Sequence, residues 1–172
     1  MKVTLYMAMT ANGMIAKADD DTSWVSATEW KSFSRAINRA GNMIIGRRTF
    51  EIMEKGGQFA VLEKVKVMVT THRTGLRSSN PNVTFTDRSP RDILTFLRKQ
   101  GFKEALVAGG GKLNSSFMKE GLINEIYLDI EPIVLGKGIR LFNEADFESK
   151  LKLLGTKELS SNEMQLHYKV LK

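Results

Sequence analysis

The chain has 172 residues, 42% of them hydrophobic and 26% charged, which fits one ordinary globular domain and excludes intrinsic disorder as its main character. It contains no Cys and only two His, so a disulfide scaffold, a Cys-ligated zinc and a thiol nucleophile are excluded, and no metal site is expected. The net charge of +7 points to an anionic partner: nucleic acid, an acidic membrane surface or a phosphorylated small molecule.

Residues 2–9 read as a first strand, β-branched and aromatic with no breaker, rather than as an export signal, and Asn12-Gly13 is a turn dipeptide. The polar, acid-rich run 17–22 is an exposed loop. Ser26-Ala27-Thr28-Glu29 is a capping-box pattern that opens a helix. Trp30, Phe33, Ile37 and Ala40 form its apolar stripe, and Gly41 stops it. Met43-Ile44-Ile45 is a short buried strand, followed by a helix over 49–54 that ends at Gly56-Gly57. Val65, Val67 and Val69 mark another strand, and Val83 with Phe85 a short one. Ser89-Pro90 starts a helix with an N-cap and a Pro at its first position, lasting to Gly101.

Residues 104–108 form a strand that runs into Gly109-Gly110-Gly111, with a helix expected from there to Gly121. Ile126, Leu128 and Ile130 alternate with Tyr127 and Asp129 in a half-buried strand closed by Pro132. From about Leu151 two more alternating segments follow, the last carried by Met164, Leu166, Tyr168 and Val170. The order predicts an α/β single domain over 1–172. Its mixed sheet is mostly parallel, with an antiparallel C-terminal edge, and is flanked by helices. No stretch approaches 18 apolar residues, so no membrane span is expected and a cytoplasmic location is.

Three strand ends carry unusual residues. At Gly46-Arg47-Arg48-Thr49 a buried strand gives way to two guanidiniums and a hydroxyl at a helix start, a place that suits anions; two solvated arginines are the plain alternative. Thr70-Thr71-His72-Arg73 follows the valine strand with four groups able to donate to a phosphate, or is simply a polar loop. Gly109-Gly110-Gly111-Lys112 lets backbone approach a ligand closely. It is no Walker loop, since Leu106 stands where the first Gly should be. In open α/β sheets ligands bind beyond the carboxyl ends of the strands, where all three segments lie. Two phosphate-seeking clusters and a glycine cradle suit a dinucleotide with an extra phosphate.

The segment Met43-Ile44-Ile45-Gly46-Arg47-Arg48-Thr49-Phe50-Glu51 resembles the Gly-Arg-Lys/Arg-Thr segment of dihydrofolate reductases, and the resemblance covers most of the chain. Gly109-Gly110-Gly111-Lys112, Gly121-Leu122-Ile123-Asn124-Glu125, Pro132-Ile133-Val134-Leu135-Gly136-Lys137-Gly138 and Leu141-Phe142 resemble the reductase domain of the bacterial riboflavin-pathway deaminase-reductase, as a stand-alone domain. That domain shares the dihydrofolate reductase fold. The resemblance implies NADPH as cofactor and a homodimer. It implies adenosine-phosphate contacts from Gly46, Arg47, Arg48, Thr49, Thr71, His72 and Arg73. Gly109, Gly110, Gly111, Lys112 and Leu113 would hold the pyrophosphate, and Gly109–Gly110 would be a cis bond. Ala8, Ile15 and Ala16 would frame the nicotinamide, and Asn12, Trp24, Glu29 and Phe33 would line the substrate side.

Glu29 lies five residues after Trp24, the spacing at which dihydrofolate reductases place their active-site carboxylate, so it is the candidate proton donor; its other role is capping with Ser26. The stretch Phe50-Glu51-Ile52-Met53-Glu54-Lys55 lacks the Asp-Pro-x-Leu-x-x-Arg segment that holds the ribosyl phosphate in riboflavin reductases. The expected activity is an NADPH-dependent oxidoreductase of a pyrimidine or pterin, with 5-amino-6-(5-phosphoribosylamino)uracil first and dihydrofolate second. A nucleotide-binding protein without turnover is a further alternative. A nucleic-acid role is not expected, because no basic run interleaves with aromatics.

Overall fold

The computed structural model describes residues 1–171. Its main sheet has eight strands: β1 (Lys2–Thr10), β3 (Asn42–Gly46), β4 (Lys66–Thr70), β5 (Val83–Thr86), β6 (Glu104–Val107), β7 (Glu125–Glu131), β9 (Leu151–Glu158) and β10 (Met164–Val170). Across the sheet they lie in the order β5-β4-β3-β6-β1-β7-β10-β9. The first six neighbours pair in parallel, and β10 and β9 close the sheet antiparallel. The expected mixed sheet with an antiparallel C-terminal edge is therefore what forms. Parallel strands are buried on both faces, which is why Met43, Ile44 and Ile45 are all fully enclosed.

Four helices cover the two faces. Helices α1 (Ala27–Ala40) and α2 (Arg47–Lys55) pack Ile37, Phe50 and Met53 against Ile45, Val67, Val69 and Leu106. Helices α3 (Pro90–Lys99) and α4 (Gly111–Lys119) pack Ile93, Leu97, Leu113 and Phe117 against Leu5, Ile44, Val107 and Ile126. Ser26 caps α1 by accepting from the Glu29 amide, and Ser89 caps α3 by accepting from Asp92. Gly41 closes α1 in the left-handed conformation (φ 67°), which favours Gly. Among the described residues no helix is long and apolar enough to cross a membrane.

Three features depart from the sequence reading. Helix α2 begins at Arg47, two residues early, because Gly46 itself takes the N-cap position. A 3-10 turn forms at Gln58–Val61. Two very short strands, β2 (Met14–Ala16) and β8 (Ile139–Arg140), pair antiparallel in a small second sheet. Their pairing is backbone against backbone: a Cβ on Gly138 would sit 2.5 Å from the Ala16 carbonyl oxygen. Two- and three-residue strands leave too little alternation to be read.

Candidate active site

A cleft of about 1310 Å³ opens over the carboxyl ends of β1, β3, β4 and β6, where the strand order switches direction. That exceeds the 300–1,000 Å³ of a typical small-ligand pocket and suits an extended ligand with a second molecule beside it. Its character differs from end to end.

One end presents donors. Helices α2 and α4 both start at this cleft, and both have glycine at the N-cap, Gly46 and Gly110, with no side chain capping either. Helices α1 and α3 carry serine caps instead. An uncapped helix start leaves free N–H groups and the positive end of the helix dipole for an anion. The two turns are tied together, since the Gly46 amide donates to the Gly109 carbonyl at 2.7 Å. Gly109–Gly110 is a cis peptide, as the resemblance implied. A Cβ on Gly46 would lie 3.6 Å from the Gly110 nitrogen, and one on Gly111 would strike Asn143 and the Arg140 carbonyl. Glycine is needed at 111 for this close approach, whereas Gly46 leaves an ordinary contact distance. Arg48, Arg88, Lys112 and Arg140 add positive charge along the cleft. Arg47 also lines it, but its Nη1 is engaged by both carboxylate oxygens of Glu51 at 2.6 and 2.7 Å.

The other end buries acids. Glu29, on the first turn of α1, is 4% exposed and lines the cleft with Tyr6, Trp30 and Phe33. Its amide serves the Ser26 cap. Among the described residues its carboxyl group has no hydrogen-bond partner. Burial pushes Glu29 up to about 8, helped by the negative charges of Asp129, Glu131 and Glu163. Glu29 is thus a largely neutral acid at pH 7. Glu29 gives the cap only its backbone amide; the side-chain half of a capping box does not form, because the Ser26 amide is taken by Glu131 at 2.8 Å, and the Glu29 carboxyl lines the cleft instead.

Most of the expected residues meet at this cleft. Ala8, Ile15 and Ala16 form its floor beside β1; Gly46, Arg47, Arg48 and Thr49 form one wall; Gly110, Gly111, Lys112 and Leu113 form the next; Glu29 and Phe33 close the far end. Gly109 lies just beneath, buried, with its carbonyl spent on Gly46. Five further expected residues do not reach the lining. Asn12 instead clasps the segment after β7: its Nδ2 donates to the Leu135 carbonyl at 2.7 Å, and its Oδ1 accepts from Thr10 and from the Leu135 amide. Trp24 is not part of the lining although its neighbours Ser23 and Val25 are, and its indole nitrogen is buried. The wall ends at Thr70: Thr71 is held by its own turn, accepting from the Arg73 amide at 2.9 Å, while His72 and Arg73 are exposed outside the lining.

Several lining residues, and two buried acids outside the lining, carry no local sequence signal. Arg88 sits in the polar loop before the Ser89 cap, and Arg140 and Asn143 follow the unread strand β8. Asp129 and Glu131 were the polar half of an alternating strand, which normally means solvent; here β7 lies between β1 and β10, and both side chains are buried.

Residues 1–165 match the family model described as the RibD C-terminal domain. A relative of similar length is YwjB from Bacillus subtilis, an uncharacterized protein, 33% identical over 97% of each chain. The structure is similar to that of a Thermotoga maritima diaminohydroxyphosphoribosylaminopyrimidine deaminase/5-amino-6-(5-phosphoribosylamino)uracil reductase (20% identity, TM-score 0.76), covering 99% of this chain and 56% of that one. It is similar also to a dihydrofolate reductase from Enterococcus faecalis solved with NADP(H) (17% identity, TM-score 0.73, 99% and 97% of the two chains). The fold is therefore dihydrofolate reductase-like.

Proposed function

Because this chain belongs to the RibD C-terminal domain family, we propose that it is an NADPH-dependent reductase of a pyrimidine or pterin-type compound. The first candidate substrate is 5-amino-6-(5-phosphoribosylamino)uracil. The observation that carries the reading is the pair of uncapped, glycine-headed helix starts facing one cleft. Such a cradle fits a pyrophosphate, with free amides on both sides and no side chain in the way. Thr49, Gly110, Gly111 and Lys112 would hold it, and Arg48 would meet a phosphate nearer the rim.

When bound, NADPH supplies the hydride, so the protein's own work is placement and proton supply. Ala8, Ile15 and Ala16 offer a flat apolar floor, which keeps water from the reacting face. Glu29 is buried and largely neutral near pH 7. It would deliver the proton that accompanies the hydride, so that the substrate gains both. Phe33 and Trp30 flank it and exclude solvent.

Two measurements test this. Calorimetry should show NADPH binding more tightly than NADH, and NADPH absorbance should fall when the uracil substrate is added. Dihydrofolate is the second substrate to try, since Glu29 supplies a single buried carboxyl of the kind a pterin ring would meet. Binding without oxidation of NADPH by either compound would leave a nucleotide-binding protein. A second copy of this chain is the partner we assign to the edge strand β9, which exposes Leu151, Leu153 and Leu154; sedimentation checks it, and a monomer at micromolar concentration rejects it.

A further inference from the structure

Behind Glu29 lies a buried polar network that the proposed reaction does not yet use. Asp129 is 1% exposed, and each of its oxygens receives a donor. The Tyr6 hydroxyl donates to Oδ2 at 2.6 Å, and the Gln165 side-chain amide donates to Oδ1 at 2.7 Å. An amide NH2 group can only donate, and two donors aimed at the two oxygens favour the ionised form of a carboxyl. The Tyr6 oxygen in turn lies 2.7 Å from Ser32 Oγ and 2.9 Å from Gln165 Nε2. Ser32 stands three residues after Glu29, on the same side of α1.

The placement follows from sheet register. Gln165 pairs directly with Asp129 across β10 and β7, and Ala8 pairs with Asp129 across β1 and β7. Asp129 and Glu131 are two apart on β7 and so share the face that meets α1. Glu131 completes the attachment by accepting the Ser26 amide, at the N-cap of α1, at 2.8 Å. Two buried carboxyls therefore have opposite surroundings. Asp129 has donors on both oxygens, whereas Glu29 has none and faces the cleft. Such a pair splits its protons, one group ionised and the other neutral.

Resting on the reductase reading, we propose that Asp129 is a positioning residue: fixed by Tyr6 and Gln165, it keeps a negative charge behind Glu29 and so holds Glu29 in its proton-donating form. The groups acting on Glu29 all work in that direction. They are Asp129 and Glu131 from β7, Glu163 from the β9–β10 turn, and the burial itself. Burial, and then the charge of Glu131, leave Asp129 above the ordinary aspartate range, while the Tyr6 and Gln165 hydrogen bonds and the Lys157 charge offset part of that rise. The four carboxyls do not form a cation site, since no group of three or more possible ligands converges among the described residues.

The test is a carbon-13 carboxyl NMR titration of the full chain, with Glu29 assigned from E29Q. In the unaltered protein Asp129 should lose its proton before Glu29. In D129N the Glu29 midpoint should fall by about one pH unit or more, the scale of a close like charge. Y6F, which keeps the charge but removes a donor from Asp129, should lower it by less. Thermal unfolding and NADPH affinity report whether each variant is folded. An unchanged Glu29 midpoint in a folded variant, or an Asp129 that stays protonated above Glu29, overturns the inference. Should D129N not fold, Y6F and the order of titration in the unaltered protein decide. No substrate is involved, so a protein that oxidises no NADPH would sink the reductase reading while leaving this titration to stand or fall alone.

Discussion

At the Gly46–Gly110 end of the cleft the chain offers unspent amides and cations; at the Glu29 end, across the same cavity, it buries carboxyls, and leaves that of Glu29 without a partner among the described residues. The first end spends backbone freedom on glycines so that an anion can approach two helix starts. The second accepts the desolvation of acids so that one of them stays protonated near neutrality. Neither end is built for stability, because caps and pairing would serve stability better in both places. The asymmetry gives an extended ligand one orientation: phosphates toward α2 and α4, the reacting group toward α1.

The largest expected effect breaks the donor end. In G111A the new Cβ would lie 2.6 Å from the Arg140 carbonyl oxygen and nearer still to Asn143. Backbone cannot yield as a flexible side chain would, so overpacking should cost about 1–3 kcal/mol of stability. The first turn of α4 should move off the cleft, and losing two charge-assisted contacts would weaken NADPH binding by roughly 100-fold or more. Calorimetry and urea unfolding measure the two effects together. Unchanged NADPH affinity in G111A would separate the glycine cradle from cofactor binding.

The acid end breaks differently. E29Q should lower turnover by ~10²–10⁴-fold, the range of a positioned proton donor, with NADPH affinity almost unaltered. If turnover survives, Glu29 is not the proton donor. The same variant carries a stability signature. Glu29 holds its proton up to about 8 when folded, against an ordinary glutamate value of 4.5. In that window the native state binds more protons than the unfolded one, so its contribution to stability falls as pH rises. The slope is at most ~1.4 kcal/mol per pH unit. E29Q removes this slope: it should match the unaltered protein below the ordinary glutamate range and be the more stable of the two above pH 8. Thermal unfolding as a function of pH checks it.

How much of this was legible follows the same division. The donor end is written in local sequence. Gly46-Arg47-Arg48-Thr49 and Gly109-Gly110-Gly111-Lys112 each place a glycine between a strand and a helix, and glycine there has a backbone reason that holds in isolation. The acid end depends on residues far apart in the chain. Tyr6, Glu29, Asp129 and Gln165 meet only because β7 is flanked by β1 and β10. Asp129 alternates with Leu128 and Ile130 as a solvated position would, so period-2 reading places it on the outside. Asn12 and Trp24 go the other way: the resemblance implies substrate contacts for both, whereas Asn12 is consumed by the Leu135 backbone and Trp24 lies outside the lining. Spacing along a chain locates a loop but not the direction of a side chain.

The smallest effect concerns where the donor end stops. The lining includes Arg48 and ends at Thr70, so Arg48 and not His72 should sense the phosphate that distinguishes NADPH from NADH. Arg48 is 66% exposed and its one ionic neighbour, Asp20, is 3.7 Å away, so its charge is largely free. Exposure also discounts it through solvent and salt. R48A should therefore weaken NADPH by roughly 3–10-fold, well below the full value of a charge-assisted bond, and the loss should fade at 1 M salt. NADH affinity should not move. H72A should change neither. Arg47 should matter less than Arg48, because Glu51 already occupies it, unless E51Q frees it. A larger loss in H72A than in R48A would mean that the loop after β4 folds over the bound cofactor and that the donor end extends past Thr70.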